Sequence, residues 1–143
     1  MFDYFGNQLD PSQYFARTGK YFYDTTPPLN SGQLLTQQSI TLRGQEQYFA
    51  IMRLMSVQTG PFRISLYTST SERYFYGTLN ATTDRVRNEC VFGSAQRPGV
   101  LPVPIIIPSS SQIMFDLEDV SGATNTLHLV YEGVRLFPKP NNN

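Results

Sequence analysis

Very few side chains in this sequence are of the types that perform covalent catalysis. The chain has one cysteine, Cys90, and one histidine, His128. A thiolate activated by an imidazole is a good nucleophile, but no catalytic motif surrounds either residue. Leu127 and Leu129 flank His128 in a predicted strand, so the imidazole is expected on the side opposite those two residues. We therefore predict a surface histidine, an inert structural cysteine and no catalytic residue, which means that the protein is not an enzyme.

One group of acidic residues has a composition that suits calcium. Asp116, Glu118 and Asp119 lie close together in the sequence, and Ca²⁺ takes several carboxylate oxygens as ligands. Alternation in this segment, however, places Asp116 and Glu118 on the solvent face of a strand, where charge is expected without a metal. No EF-hand spacing follows, and the chain contains no glycine-rich phosphate-binding motif. The sequence therefore predicts no metal site and no cofactor.

Three tyrosines suggest a carbohydrate-binding surface. Tyr67 precedes a Ser/Thr-rich turn, and Tyr74 and Tyr76 share one face of a predicted returning strand, Arg73–Tyr76. Exposed aromatic rings present an apolar face with a polar tip, which suits stacking against sugar rings. The same side chains would also suit ordinary cross-strand packing, and the chain has no tryptophan. Glycan binding is therefore the alternative function rather than the leading one.

The overall composition excludes several broad classes of protein. At 143 residues the chain is long enough for one domain, and 11 basic residues balance 11 acidic ones. This balance argues against a nucleic-acid-binding face built on bulk positive charge. No apolar run approaches the roughly 18–20 residues that a membrane span needs. Charged residues make up only 15% and aromatic residues 13%, a bias typical either of a β-rich domain or of buried interface centres.

Short, punctuated strand signals dominate the chain after residue 28. Polar and apolar residues alternate over residues 38–42, 62–67, 113–118 and 127–131, which is the period of half-buried strands. Residues 48–55 form a longer apolar run, and turn signals such as Gly60-Pro61 and Ser121-Gly122 separate the segments. The pattern predicts an all-β fold, either an antiparallel sandwich or a barrel. An eight-stranded jelly roll fits the remaining length, and we predict an antiparallel jelly-roll β-sandwich over residues 29–138. Residues 139–143 are predicted to be a disordered tail.

The first 28 residues form a predicted extended N-terminal arm that is rich in aromatic side chains. It ends at Thr25-Thr26-Pro27-Pro28, a stiff extended hinge. Such rings need to be covered, because a solvated aromatic segment would be a sticky patch. Two interpretations are open: a first strand with a flap over its own sandwich, or an arm that docks on a neighbouring subunit. The interface candidates in this arm are Phe2, Tyr4, Phe5, Tyr14, Phe15, Tyr21, Phe22 and Tyr23.

A proline-rich stretch, Arg97–Pro108, is predicted to lie at a sheet edge or to run as an extended connector. Proline has no N–H to donate to a ladder, so prolines in a strand are confined to edges or bulges. The Ile105–Ile107 triplet is expected to re-enter the core as a short strand. We hypothesise that this stiff edge takes part in self-association. Its interface candidates are Arg97, Pro98, Pro102 and Pro104.

The C-terminal half contains several short elements in a characteristic order. These are Val91-Phe92-Gly93-Ser94-Ala95-Gln96-Arg97-Pro98, then Leu101-Pro102-Val103-Pro104 and Ile105-Ile106-Ile107-Pro108, then Val120-Ser121-Gly122-Ala123-Thr124-Asn125-Thr126-Leu127-His128-Leu129, and finally Glu132-Gly133-Val134-Arg135-Leu136-Phe137. This order resembles that of small virion proteins of tailed bacteriophages, in particular the jelly-roll head cement (decoration) proteins. The resemblance covers roughly residues 90–137 and does not include the aromatic arm.

The resemblance implies a structural role on the outside of an icosahedral capsid. Such a protein would bind the major capsid protein and stabilise the contacts between neighbouring capsomers. It would act as a homodimer or homotrimer, without direct contact to nucleic acid or membrane. It would be made and assembled in the host cytoplasm and end in the virion. The alternative is a glycan-binding tail-fibre or host-recognition module that uses Tyr67, Tyr74 and Tyr76.

Overall fold

Eight β-strands carry the fold in the computed structural model, which describes residues 9–76 and 84–140. They are β1 (Tyr14–Asp24), β2 (Leu34–Thr41), β3 (Tyr48–Gln58), β4 (Phe62–Thr68), β5 (Val86–Arg87), β6 (Gly99–Pro108), β7 (Gln112–Asp119) and β8 (Leu127–Pro138). Short 3-10 turns lie at Pro11–Gln13 and Asn88–Cys90. Across these two described ranges, no helix has the length and apolar character needed to cross a membrane.

The strands form two antiparallel sheets of four strands each. One sheet has the order β1-β8-β3-β6 and the other the order β2-β7-β4-β5. Every pairing between strands is antiparallel, and the core lies between the inner faces of the two sheets. The predicted all-β antiparallel sandwich is therefore confirmed. The jelly-roll connection order stays a prediction.

The core consists of the inward-facing side chains of both sheets. Alternation along β4, β7 and β8 buries residues such as Ile64, Phe115 and Leu129 completely, and each such side chain contributes about 1.5–3 kcal/mol through burial. Tyr131 lies at the centre, where its ring packs against Phe92 and Phe115 at 6.0 Å between centroids. Its buried hydroxyl has no hydrogen-bond partner among the described residues. Burial raises the pKa of Tyr131 well above its ordinary value.

Strand β1 belongs to the sandwich, although it was predicted as part of a separate arm over residues 1–28. It pairs with β8 along its whole length, from Tyr14 opposite Pro138 to Asp24 opposite His128. For residues 14–24 the first-strand interpretation therefore holds, because eleven paired residues tie the segment into a sheet. Phe2, Tyr4 and Phe5 lie outside the described residues.

Two other local predictions are corrected. Residues Arg73–Tyr76 do not form a returning strand: Arg73 makes one isolated bridge to Tyr67, and β5 takes the position beside β4. Residues 139–143 are not wholly a free tail, because the Lys139 N–H donates to the Gln13 carbonyl at 2.9 Å. Residues 141–143 lie outside the described part of the chain.

The proline-rich strand β6 lies at the edge of its sheet, as predicted. It pairs with β3 alone, and the register of that pairing shifts between Ile51 and Arg53. Ile105 and Ile107 are buried in the core, which confirms the predicted re-entry of the isoleucine triplet. Pro102 and Pro104 lie in the stretch of β6 where the register shifts.

Candidate interaction surfaces

The outer face of the β1-β8-β3-β6 sheet carries several exposed apolar side chains. One row across the strands contains the exposed Phe22, the half-buried Val130 and the buried Met55, and the next row toward the strand ends contains His128 and Val57. On this face Phe22 and Val57 are each 66% exposed, and Val100 on β6 is 68% exposed. Large apolar groups that share one flat face favour contact with another protein. We call Phe22, Val57, Val100 and Val130 the outer apolar face.

A charged row crosses the same face and neutralises itself in part. The Glu132 carboxylate lies between two cations, 3.3 Å from Lys20 Nζ and 3.4 Å from Arg53 Nη1. The register places these three residues side by side on β1, β8 and β3. Exposed ion pairs of this kind add little stability, typically about 0–1 kcal/mol. Their effect here is to leave the outer apolar face without a strong field of either sign.

The aromatic candidates of β1 divide between different environments. Tyr23 packs edge-on against Phe115 in the core, with 4.8 Å between ring centroids. Tyr14 packs edge-on against Tyr48 at 5.7 Å, whereas Phe15 and Phe22 are exposed. Because successive residues of a strand point to opposite faces, Phe15 and Phe22 lie on different sides of the sheet. The five described aromatic candidates, Tyr14, Phe15, Tyr21, Phe22 and Tyr23, therefore do not lie on one surface.

Tyr21 anchors the loop between β2 and β3. Its hydroxyl donates to Glu46 and accepts from the Arg43 and Gly44 N–H groups at 3.2 and 3.4 Å. The Glu46 side chain is fully buried, and its second oxygen lies 3.4 Å from Arg135 Nη2. Burial alone would raise the pKa of the Glu46 carboxyl, but the Tyr21 hydroxyl and the Arg135 guanidinium outweigh it and lower the pKa. This buried cluster is a structural anchor that the sequence did not predict.

Cations stack over two phenylalanine rings where β1 and β8 extend to the chain ends. The guanidinium groups of Arg17 and Arg135 lie 5.4 and 5.2 Å from the Phe137 ring centroid. Lys139 Nζ lies 5.3 Å from the Phe15 centroid. Each such contact contributes about 0.5–1 kcal/mol at an exposed site, which supports the pairing of the strand ends.

The turn before β6 accounts for the residue types found between Phe92 and Pro98. The Ser94 N–H donates to the Arg97 carbonyl at 3.0 Å, and the Arg97 N–H donates to Ser94 Oγ at 3.1 Å. A side chain on Gly93 would collide with the backbone carbonyl of Arg97, while Phe92 is buried in the core. Arg97 and Pro102 are exposed, whereas Pro98 and Pro104 are half-buried. The element is thus a tight turn that positions the edge strand.

A cleft beside β6 is lined mainly by apolar side chains. Its volume is about 390 Å³, and its lining includes Tyr74, Phe75, Val91 and Leu101. Cys90, which also lines the cleft, is exposed. The predicted inert structural cysteine therefore lies at the surface rather than in the core.

The three tyrosines proposed for glycan stacking do not form an exposed surface. Tyr67 and Tyr74 are buried, and only Tyr76, at 69% exposure, presents its ring to solvent. The Tyr67 hydroxyl donates to Asp116 at 2.7 Å, and the Arg73 guanidinium covers its ring at 5.0 Å. Burial, with the hydrogen bond to Asp116, raises the pKa of Tyr67 to about 12. Tyr74 belongs to the core, whereas Tyr67 is covered on the outer side of its sheet by Asp116 and Arg73.

The predicted solvent exposure of Asp116 is wrong. Its carboxylate is buried and accepts hydrogen bonds from the Tyr67 hydroxyl and from the Gln37 N–H at 2.9 Å. Gln37 lies at a bulge in β2 with φ of 58°, and this bulge brings its N–H over the outer side of β7. The alternation of polar and apolar residues along a strand cannot show that a bulge in the neighbouring strand will cover an outward-facing side chain.

Asp119 and Asn125 connect three loops at one end of the sandwich. The buried Asp119 carboxylate accepts from the Gly32 N–H at 2.9 Å, the Ser121 hydroxyl at 2.6 Å and the Asn125 side-chain amide at 3.0 Å. The same Asn125 amide donates to the Gly60 and Pro61 carbonyls at 2.9 and 3.1 Å. Protein donors thus occupy the Asp119 carboxylate, one of the three that were considered for calcium. In the described ranges, no three His, Cys, Asp or Glu side chains form a group that could hold a metal ion.

The single histidine lies on the outer face, as its flanking leucines predicted. His128 is exposed, and its Nδ1 lies 2.6 Å from Asp24 Oδ1 on β1. Leu127 and Leu129 are fully buried on the inner face. The pair joins the ends of two neighbouring strands at the surface.

Comparison with protein-family models, with curated proteins and with solved structures finds no match for this chain.

Proposed function

We propose that this protein is a structural virion protein of a tailed bacteriophage that binds the outside of the icosahedral capsid. Its partner is the major capsid protein, and its role is to stabilise the contacts between neighbouring capsomers. The order of sequence elements over residues 90–137 supports this proposal, because it resembles that of head cement proteins. The protein would act as a homodimer or homotrimer.

The observation that carries the proposal is the outer apolar face. Phe22, Val57 and Val100 leave large apolar groups exposed on a sheet whose charged row is internally paired. Protein contacts gain most from such desolvated apolar groups near the centre of an interface. A cement protein repeats a modest contact many times over a symmetric shell, so each copy does not need high affinity.

The number of copies per particle tests the proposal directly. A protein that binds capsomers of the shell is present on the order of hundreds of copies, because the shell repeats its subunits by symmetry. Quantitative gel densitometry of purified particles, with the major capsid protein as internal standard, measures this ratio. A count in the tens would indicate a fibre or tail component, and absence from mature particles would refute a virion role.

The double variant F22S/V57S tests whether the outer apolar face makes the contact. We expect capsid occupancy at limiting protein to fall at least about tenfold, since each lost apolar side chain contributes roughly 1–2 kcal/mol when buried. The matched control is L34S, which replaces a 41% exposed leucine on β2 in the other sheet. Unchanged occupancy in F22S/V57S, or an equal loss in L34S, would contradict this assignment.

Whether the aromatic residues of the predicted arm contact the capsid could be tested by deletion of the first 26 residues, but point substitutions are more informative. Such a deletion would remove β1 and leave β8 as a new sheet edge, so the sandwich itself would be altered. Point substitutions on β1, such as F22S, leave the backbone pairing with β8 in place. They therefore distinguish a loss of capsid binding from a loss of folding.

A further inference from the structure

The four sheet edges of the sandwich differ in how well they are protected against pairing with another strand. Edge strands expose unpaired N–H and C=O groups, and proteins protect them with prolines, bulges or short length. Strand β5 has two residues, and β2 is bulged between Leu35 and Gln38. Strand β6 contains Pro102 and Pro104 within a register shift. Each of these three edges thus carries at least one protective feature.

Strand β1 carries none of these features. It is 11 residues long, which is about 35 Å at the rise of an extended strand. It contains no proline, and its register with β8 is continuous from Tyr14 to Asp24. Its central lysine, Lys20, is directed back over the sheet by its ion pair with Glu132. No described strand pairs with its outer edge.

The alternation of the backbone hydrogen bonds between β1 and β8 shows which backbone N–H and C=O groups of β1 point away from β8. The Lys139 N–H donates to the Gln13 carbonyl, and the Thr25 N–H donates to the Leu127 carbonyl. In an antiparallel pair such bonds occur at every second residue. The odd-numbered residues of β1 therefore bond to β8, and the even-numbered residues direct their N–H and C=O groups outward. These outward groups belong to Ala16, Thr18, Lys20, Phe22 and Asp24, together with the Tyr14 carbonyl, because the Tyr14 N–H donates to the Pro11 carbonyl.

We propose that two copies of this chain pair their β1 edges antiparallel about a twofold axis at Thr18. In this register Thr18 bonds to Thr18 of the second copy, Lys20 lies opposite Ala16 and Arg17 lies opposite Gly19, so no like charges lie directly opposite each other. Phe22 lies opposite Tyr14 on one face, and Tyr21 lies opposite Phe15 on the other. Aromatic cross-strand pairs are among those that stabilise sheets. The even-numbered residues also have the correct phase to exchange hydrogen bonds.

The assembly closes as a dimer with one continuous eight-stranded sheet. A second copy uses the same edge on both subunits, which is an isologous contact, and no equivalent open edge is left to extend it. The prolines of β6 oppose strand addition at the far ends of the sheet, so the self-association hypothesised for Arg97–Pro108 is assigned to the β1 edge instead. This inference does not depend on the capsid-binding proposal, since a dimer forms whether or not a shell is present.

Sedimentation equilibrium of the full chain tests the dimer. The expected mass is twice 16.2 kDa. The variant T18K places a lysine at the twofold axis, opposite its own copy, and is expected to raise the dimer Kd at least about tenfold. The matched control V100K places a lysine at an exposed position on the other edge strand, and its Kd should stay within about twofold of the parent protein. Thermal unfolding of both variants establishes that they are folded.

A cysteine variant tests the register without adding charge. In a C90S background, T18C brings two thiols together across the twofold axis, where opposite Cα atoms are about 5.5 Å apart, a distance that a disulfide spans. Oxidised glutathione should then produce a covalent dimer, while C90S/V57C stays monomeric on a non-reducing gel. A monomeric parent protein, a dimer insensitive to T18K, or dissociation by V100K alone would overturn the proposal.

Discussion

At the scale of single residues, the polar groups with the greatest structural effect are those that close loops. Asn125 is completely buried, and it bonds to residues of the β3–β4 turn as well as to Asp119. Asp119 in turn holds the N–H of Gly32 in the loop before β2. One carboxylate and one amide therefore fix the relative positions of loops from both sheets.

Replacement of Asp119 by asparagine is expected to destabilise the fold by about 2 kcal/mol, because charge-assisted hydrogen bonds to a buried carboxylate are lost. Burial by itself would raise the pKa of Asp119, but bonds from Ser121, Gly32 and Asn125 hold the pKa well below its usual range. A depressed pKa adds stability that is present above the unfolded-state pKa of about 3.9 and is lost as the pH falls through the folded-state pKa.

Urea unfolding at pH 7 and at pH 3 measures this contribution. The difference in unfolding free energy between the parent protein and D119N should be largest at pH 7 and should shrink as the pH falls below about 4. The control is T124A, an exposed position in the same loop, which should change stability by less than about 0.5 kcal/mol. A D119N difference that is independent of pH would contradict the argument.

At the scale of elements, β8 is one of the two central strands of its sheet and pairs with β1 on one side and β3 on the other. Strand β8 approaches β3 closely at Gly133, which has no side chain. A Cβ atom on residue 133 would collide with the backbone carbonyl of Ala50. Because the obstacle is backbone rather than a flexible side chain, the strands would have to separate to accept any larger residue.

The variant G133A is therefore expected to lower the free energy of unfolding by about 3 kcal/mol, the upper part of the range for overpacking. Its control is G32N, at a turn glycine with φ of +72° and nothing within 4 Å of its Cβ position. Asparagine tolerates that conformation well, so G32N should cost less than about 1 kcal/mol. Chemical denaturation of the purified variants compares them; similar losses at both positions would show that strand spacing is not the cause.

The elements also show where sequence patterns were sufficient. Alternation identified β4, β7 and the start of β8, because one face of each strand packs on the core and the other does not. The same alternation failed for Arg73–Tyr76, since a run of aromatic residues has strand propensity whether or not a partner strand is available. It also failed for Asp116, whose cover comes from a bulge in β2.

At the scale of the whole molecule, the protein combines zero formal net charge with an outer face whose charged row is internally paired. Contacts that depend on opposing charge weaken as salt screens them, whereas burial of apolar area does not. The proposed capsid contact uses the apolar side chains of this face. Its strength should therefore depend little on ionic strength.

Washing decorated particles at 50 mM and at 500 mM NaCl, which shortens the screening length severalfold, measures this dependence. We expect the bound fraction to change by less than about twofold. Particles decorated with the F22S/V57S variant serve as the comparison for weakened binding. A loss of most bound protein at the higher salt concentration would show that charged residues, such as Arg17 and Arg97, make the contact instead.

The sequence by itself determined the all-β class, the antiparallel sandwich and the edge position of the proline-rich strand. Each of these follows from local rules: alternation, turn residues and the missing N–H of proline. Tertiary structure alone decided that residues 14–24 are a sheet strand, that Tyr67 and Asp116 are buried together, and that Asp119 and Asn125 close the loops. The reason is physical, because burial and hydrogen-bond partners depend on which distant segments pack together, and no local pattern records that.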